Sequence, residues 1–199
     1  MTRTPNSPDP AGGARVPIEF VGLARAFRGR IAGRPPPADL LRRVRPRPGF
    51  QPMPRHDFLR RLVADWRRQP DPGRLALFAE FDGDKLRVAE QRVSTAKMRF
   101  ADFEEAALSI GLHLVVMQPP HFREERAIIA DIGMHALARR YQRVADHSDA
   151  AVLADLKALA PKWRDTAGEF RVPAPSGGEW IGAVTTVRGA PVLAVRTFV

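Results

Sequence analysis

Between residues 19 and 31, Phe20, Leu23, Ala24, Phe27 and Ile31 recur at helical spacing while Arg25, Arg28 and Arg30 fall on other faces. The spacing predicts a short amphipathic helix, able to dock on the body of the protein or on a partner. Pro35-Pro36-Pro37 ends it, one further turn is expected over residues 39–44, and Arg45-Pro46-Arg47-Pro48 must be extended. A second helix is predicted over residues 55–68, with Phe58, Leu59, Leu62, Val63 and Trp66 as its apolar stripe and Pro70-Asp71-Pro72-Gly73 as its stop. Two strands follow at 74–81 and 85–93, joined by Asp82-Gly83-Asp84, a hairpin signal. Phe100, Phe103, Ala107 and Ile110 return to helical steps and predict a helix over 101–110; residues 112–118 then read as a buried strand closed by Pro119-Pro120.

The second half predicts a helix from about 123 to 144, with Ile128, Ile129, Ile132, Leu137 and Tyr141 inward and a break at Gly133. Ser148 is placed to cap a helix over 149–160, where Asp149 suits the positive end of the helix dipole. Strands are predicted at 170–172, 179–187 and 192–199, the last two joined through Arg188-Gly189-Ala190-Pro191. The fold class expected is α+β: helices packed on an antiparallel sheet, a C-terminal β-meander and a Pro/Arg-rich N-terminal arm. The divisions expected are a basic, partly disordered arm (1–54), an α+β N-terminal half (55–122) and a helix-helix-meander half (123–199).

Charge changes the picture. The net charge is +10, and all but Lys85, Lys97, Lys157 and Lys162 of the 32 basic residues are arginine. Guanidiniums fork onto phosphate oxygens, and a surplus of this size attracts polyanions. Residues 1–54 hold ten arginines against Asp9, Glu19 and Asp39, together with 11 of the 19 prolines. Arg25, Arg28, Arg30, Arg42, Arg43, Arg45 and Arg47 on that arm, with Arg140 and Arg188 beyond it, are therefore the candidate nucleic-acid contacts. A solubilising tail, an acidic protein partner or an anionic lipid surface accounts for the same charge. The chain has no cysteine, which excludes a disulfide framework, a thiolate nucleophile and a Cys-bearing zinc site. No apolar run approaches the roughly 20 residues of a membrane span and no secretory signal is evident, so a cytoplasmic location is the expectation.

One stretch offers chemistry. In His135-Ala136-Leu137-Ala138-Arg139-Arg140-Tyr141-Gln142-Arg143, His135, Arg139 and Arg143 are four residues apart and share a face if the segment is helical. An imidazole titrates near neutrality and can move a proton, and fixed guanidiniums can stabilise charge on a phosphate. A solvated basic helix with an incidental histidine, its arginines holding Glu124, Glu125 or Asp155, is the alternative reading. His-Ala-x-x-Arg-x-x-x-Arg, followed by the Ser148-Asp149 cap and the strand at 192–199, resembles the RelE/colicin-type (barnase–EndoU–colicin–RelE-like) ribonuclease toxin superfamily over roughly residues 125–199. The resemblance implies metal-independent RNA cleavage with no cofactor. His135 would be the proton-transfer group, Arg139 and Arg143 the stabilising cations, and Arg196 or Thr197 on the last strand the group that orients the phosphate. It implies RNA as partner, and an acidic protein, either an antitoxin or an assembly subunit, as a second. The reading that competes is a non-catalytic nucleic-acid-binding or assembly module gripping through the arm.

The remaining polar residues carry less. His56, His113, His121 and His147 lie at a helix start, in a strand, after two prolines and in a turn, and no metal-ligating spacing joins them to His135. Glu104-Glu105 and Glu124-Glu125 read as solvated helix faces, and Trp66, Trp163 and Trp180 as core or hairpin residues.

Overall fold

The computed structural model describes residues 15–32, 56–68, 71, 73–83, 85–99, 104–118, 121–163 and 166–199. Arg42, Arg43, Arg45 and Arg47, and the turn expected at 39–44, lie outside the described residues. The elements run α1 (Ile18–Ala32), α2 (His56–Arg68), β1 (Arg74–Asp82), β2 (Lys85–Arg99), β3 (Glu104–Gln118), β4 (His121–Gly133), α3 (Met134–Arg143), α4 (Asp149–Lys157), a 3-10 turn (Ala160–Lys162), β5 (Glu169–Pro173), β6 (Glu179–Val187) and β7 (Ala190–Phe198). The protein is α+β. Its strands form one sheet in the order β1-β2-β3-β4-β7-β6-β5, and β5 to β7 are the C-terminal meander. Every pairing is antiparallel except β4 with β7, where Ala130–Ile132 run parallel to Leu193–Val195. No helix among the described residues is long and apolar enough to cross a membrane.

The helix expected over 101–110 and the first half of the one expected over 123–144 are strands, while the second half, 134–143, is helical. Residues 104–118 form β3, paired along its length with β2, and residues 121–133 form β4. The charges of β4 show why. Arg123 pairs with Glu125 and Arg126 with Glu124, partners two residues apart. Side chains at i and i+2 share a face only in a strand. In β3 the helical period over Ala107 and Ile110 was incidental, because Leu108 and Ile110 face one core while Val115 and Met117 face another. The break expected at Gly133 is real, and it is where α3 begins. The boundary expected between 122 and 123 falls inside β4, which is hydrogen-bonded to β3 on one side and β7 on the other.

Backbone alternation divides the apolar residues between the two faces of the sheet. Val93, Leu108, Ile110 and Ile132, with Leu193 and Val195 of β7, pack beneath α1, α3 and α4 in the larger core. Leu86, Val88, Val115 and Met117 emerge from the other face at the far ends of β2 and β3 and pack beneath Val63 and Trp66 of α2. The first helix docks on the body rather than standing free: Ala24, Phe27 and Ile31 are buried in the larger core. Both hairpin signals hold. Asp82 pairs with Lys85 across a left-handed Gly83, and Arg188-Gly189 forms a two-residue turn with φ of 52° and 81°.

Candidate functional site

Helix α3 starts where β4 ends, so its first residues emerge at one edge of the larger core. Gly133 caps it with extended backbone and no side-chain acceptor, and its first turn has no acidic residue. The free N–H groups need an acceptor from elsewhere. Glu105, on β3, supplies one: its Oε1 accepts the His135 backbone N–H at 3.1 Å. A side chain at Gly133 would crowd that carboxylate, since an added Cβ would sit 3.3 Å from its Oε2.

The His135 ring is exposed, and the Arg139 Nε–H points at its Nε2 across 3.5 Å, a long contact. Arg139 is itself only 7% exposed, and its Nη1 donates to Gln142 Oε1 at 3.2 Å. Burial and these contacts hold the guanidinium rigid beside a solvent-facing imidazole. Arg28 of α1 arrives close by, its Nε–H bonded at 3.3 Å to the Ala107 carbonyl, and Ala107 is paired with Gly133. Glu105, His135 and Arg139 are thus joined at one end of the sheet, and Arg28 is anchored on the β3 residue paired with Gly133.

The rest of the expected site disperses. Arg143 is exposed on the last turn of α3. Ile132 pairs with Val195, so Arg196 follows the β7 residue next to the end of β4, where a register shift in the β6–β7 ladder accommodates it. Arg196 is exposed and Thr197 half-buried. Among the described residues, no hydrogen bond or ion pair joins Arg143, Arg196 or Thr197 to the His135 ring.

Of the expected nucleic-acid contacts, Arg25 is exposed on α1 and Arg188 is exposed at the β6–β7 tip. Arg30 is engaged, forking onto Asp149 with Nε–Oδ2 at 2.9 Å, and that bond holds its pKa up. Arg140 is a correction: it is 0% exposed and meets no solvent. Its Nε donates to Asp155 Oδ2 at 2.8 Å and its Nη1 to the Asp146 carbonyl at 2.6 Å. Asp155 also accepts the Ser176 N–H at 3.0 Å, tying the β5–β6 turn to the helices. Arg140 sits one position beyond Arg139, about 100° round the helix, which turns it towards α4 rather than towards solvent. Next to it, burial pushes the Tyr141 hydroxyl up to about 12, and that hydroxyl has no hydrogen-bond partner. His147 hydrogen-bonds the Tyr141 carbonyl at 2.8 Å and packs edge-on against the Tyr141 ring, a structural role.

Glu105, which accepts the His135 N–H, is the residue of this cluster missing from the sequence reading. A helical assignment of 101–110 made it a solvated surface carboxylate. The signal that pointed to it was the bare cap at Gly133, which demands a distant acceptor. No cluster of three or more metal-ligating side chains is present among the described residues. Compared with protein-family models, with curated proteins and with solved structures, the chain matches none.

Proposed function

We propose that the protein engages RNA in the cytoplasm and that the α3 end of the sheet cleaves it without a metal. The observation that carries the reading is the solvent-facing His135 ring held against a buried, immobile guanidinium, with the Glu105 carboxylate at the same helix end. In the reaction a basic group removes the ribose 2′-hydroxyl proton, the oxygen attacks phosphorus, and the 5′-oxygen leaves with a proton. The products are a 2′,3′-cyclic phosphate and a free 5′-hydroxyl. His135 and Glu105 are the two groups able to hold those protons, and Arg139 and Arg28 are the fixed cations for charge on the phosphorane. The exposed Arg25, Arg143 and Arg196 would attract the backbone electrostatically.

A non-catalytic reading has one observation in its favour. Arg139 is buried and already engaged with Gln142, which limits its reach towards a phosphate. In that case exposed arginines bind RNA or an acidic protein partner, and the helix end is scaffold. Conversion of His135 to alanine separates the two. Loss of EDTA-insensitive RNA cleavage with binding retained supports catalysis, whereas equal cleavage by both forms, or none by wild type, overturns it.

A further inference from the structure

Helix α1 is weakly held and weak in itself. Of its fifteen residues, Ala24, Phe27 and Ile31 are the buried ones, while Ile18 and Leu23 are exposed apolar side chains that docking does not cover. The ion pair of Arg30 with Asp149 joins side chains 48% and 39% exposed, and solvent screens such pairs. Arg28 adds a long hydrogen bond, 3.3 Å to the Ala107 carbonyl. Gly22 and Gly29 lie inside the helix with nothing within 4 Å of an added Cβ, so no close packing demands them. Each disfavours the helix severalfold relative to alanine, and fifteen residues alone are marginal in water. Residues 33–55 separate α1 from α2, so no short turn ties it to the next described element. Helix α3 is the opposite case: it continues directly from β4, buries Ala136 to Tyr141 and is bonded through Arg140 to Asp155.

We infer that α1 is a strap that undocks as a unit while the sheet, α3 and α4 stay folded. What it carries gives the motion a consequence. Arg28 is anchored on Ala107, the β3 residue paired with the Gly133 cap of α3, and undocking withdraws its guanidinium from that end of the sheet. The same motion frees Asp149, the first residue of α4, and parts Phe20 from the His147 ring. Docking of α1 therefore decides whether the α3 end has Arg28 as a cation beside Arg139. That effect on cleavage rests on the nuclease reading of the His135 site; the undocking does not.

Native-state hydrogen exchange of the full chain, read amide by amide, tests it. Protection over residues 22–32 should be about tenfold or more below that of residues 137–141 in α3. Gly22→Ala combined with Gly29→Ala should raise α1 protection about tenfold and leave α3 unchanged. Phe27→Asp should abolish protection throughout α1 while α3 stays protected. Equal protection of the two helices, or variants that shift both together, makes them one cooperative unit and overturns the inference. RNA cleavage is the second readout. Phe27→Asp should lose about tenfold or more, and Arg28→Ala as much with α1 still protected. A Phe27→Asp variant that is undocked yet cleaves like wild type overturns the link to the site. A wild type whose α1 exchanges early but which cleaves nothing overturns the nuclease reading alone and supports the strap.

Discussion

The two ends of the long strands are built differently. At the α3 end, three helices and strands from both halves of the chain close around one core, and a buried ion pair links its helices. Arg140 and Asp155 are both 0% exposed and bonded to each other, Arg140 also to the Asp146 carbonyl and Asp155 also to the Ser176 N–H. At the other end, among the described residues, a single helix, α2, packs on β1–β3. The proposed site lies where the sheet is held from both directions, because there a guanidinium can be fixed beside an exposed neighbour. Among the described residues the far arm is supported by this one helix, which suits it less to a preorganised site.

The largest effect that would sharpen this contrast is expected at Asp155. Asp155→Ala leaves Arg140 charged, buried and unpaired, and should cost about 3–5 kcal/mol in denaturant unfolding; a loss near zero would mean the helix end is not locked. On the arm, Trp66→Ala should cost about 3–5 kcal/mol, since the side chain is buried against β2 and β3. If the ends are separable, that variant keeps RNA cleavage under conditions where it remains folded, while Asp155→Ala loses it. Parallel loss in both would erase the distinction.

A smaller effect concerns Asp131, opposite Ser109 in the β3–β4 ladder. Burial raises its pKa, partly opposed by the Ser109 hydrogen bond, and its Oδ1 has no partner. The folded state therefore holds the proton more tightly than the unfolded chain. This group's contribution to stability is favourable below the unfolded value and is lost as pH rises through the folded one. Asp131→Asn should raise stability at neutral pH by about 0.5–1 kcal/mol. The gain should fade below about pH 4, where both states carry the proton. A gain independent of pH would assign the effect to packing instead.

What could be read in the sequence was local. The capping hydroxyl of Ser148 accepts the Ala151 N–H at 3.2 Å as its position implied, and both Asp-Gly and Arg-Gly turns fall where the residues demand left-handed backbone. The terminal meander and the start of α3 at Gly133 were likewise legible. Residues 104–110 and 123–133 were not, because strands apolar on both faces carry no period of two and their charges can be fitted to a helix. That error hid Glu105, whose role depends on lying across the ladder from the α3 cap. It also hid the fate of Arg140: adjacent arginines look alike in a sequence, and only the position of α4 turns one inward onto Asp155.

The most direct measurement is cleavage of total RNA in the presence of EDTA by wild type and by His135→Ala at matched stability. The account predicts cyclic-phosphate ends from wild type and a loss of about 10²–10⁴-fold in the variant. Equal rates, or wild-type activity abolished by EDTA, would contradict it.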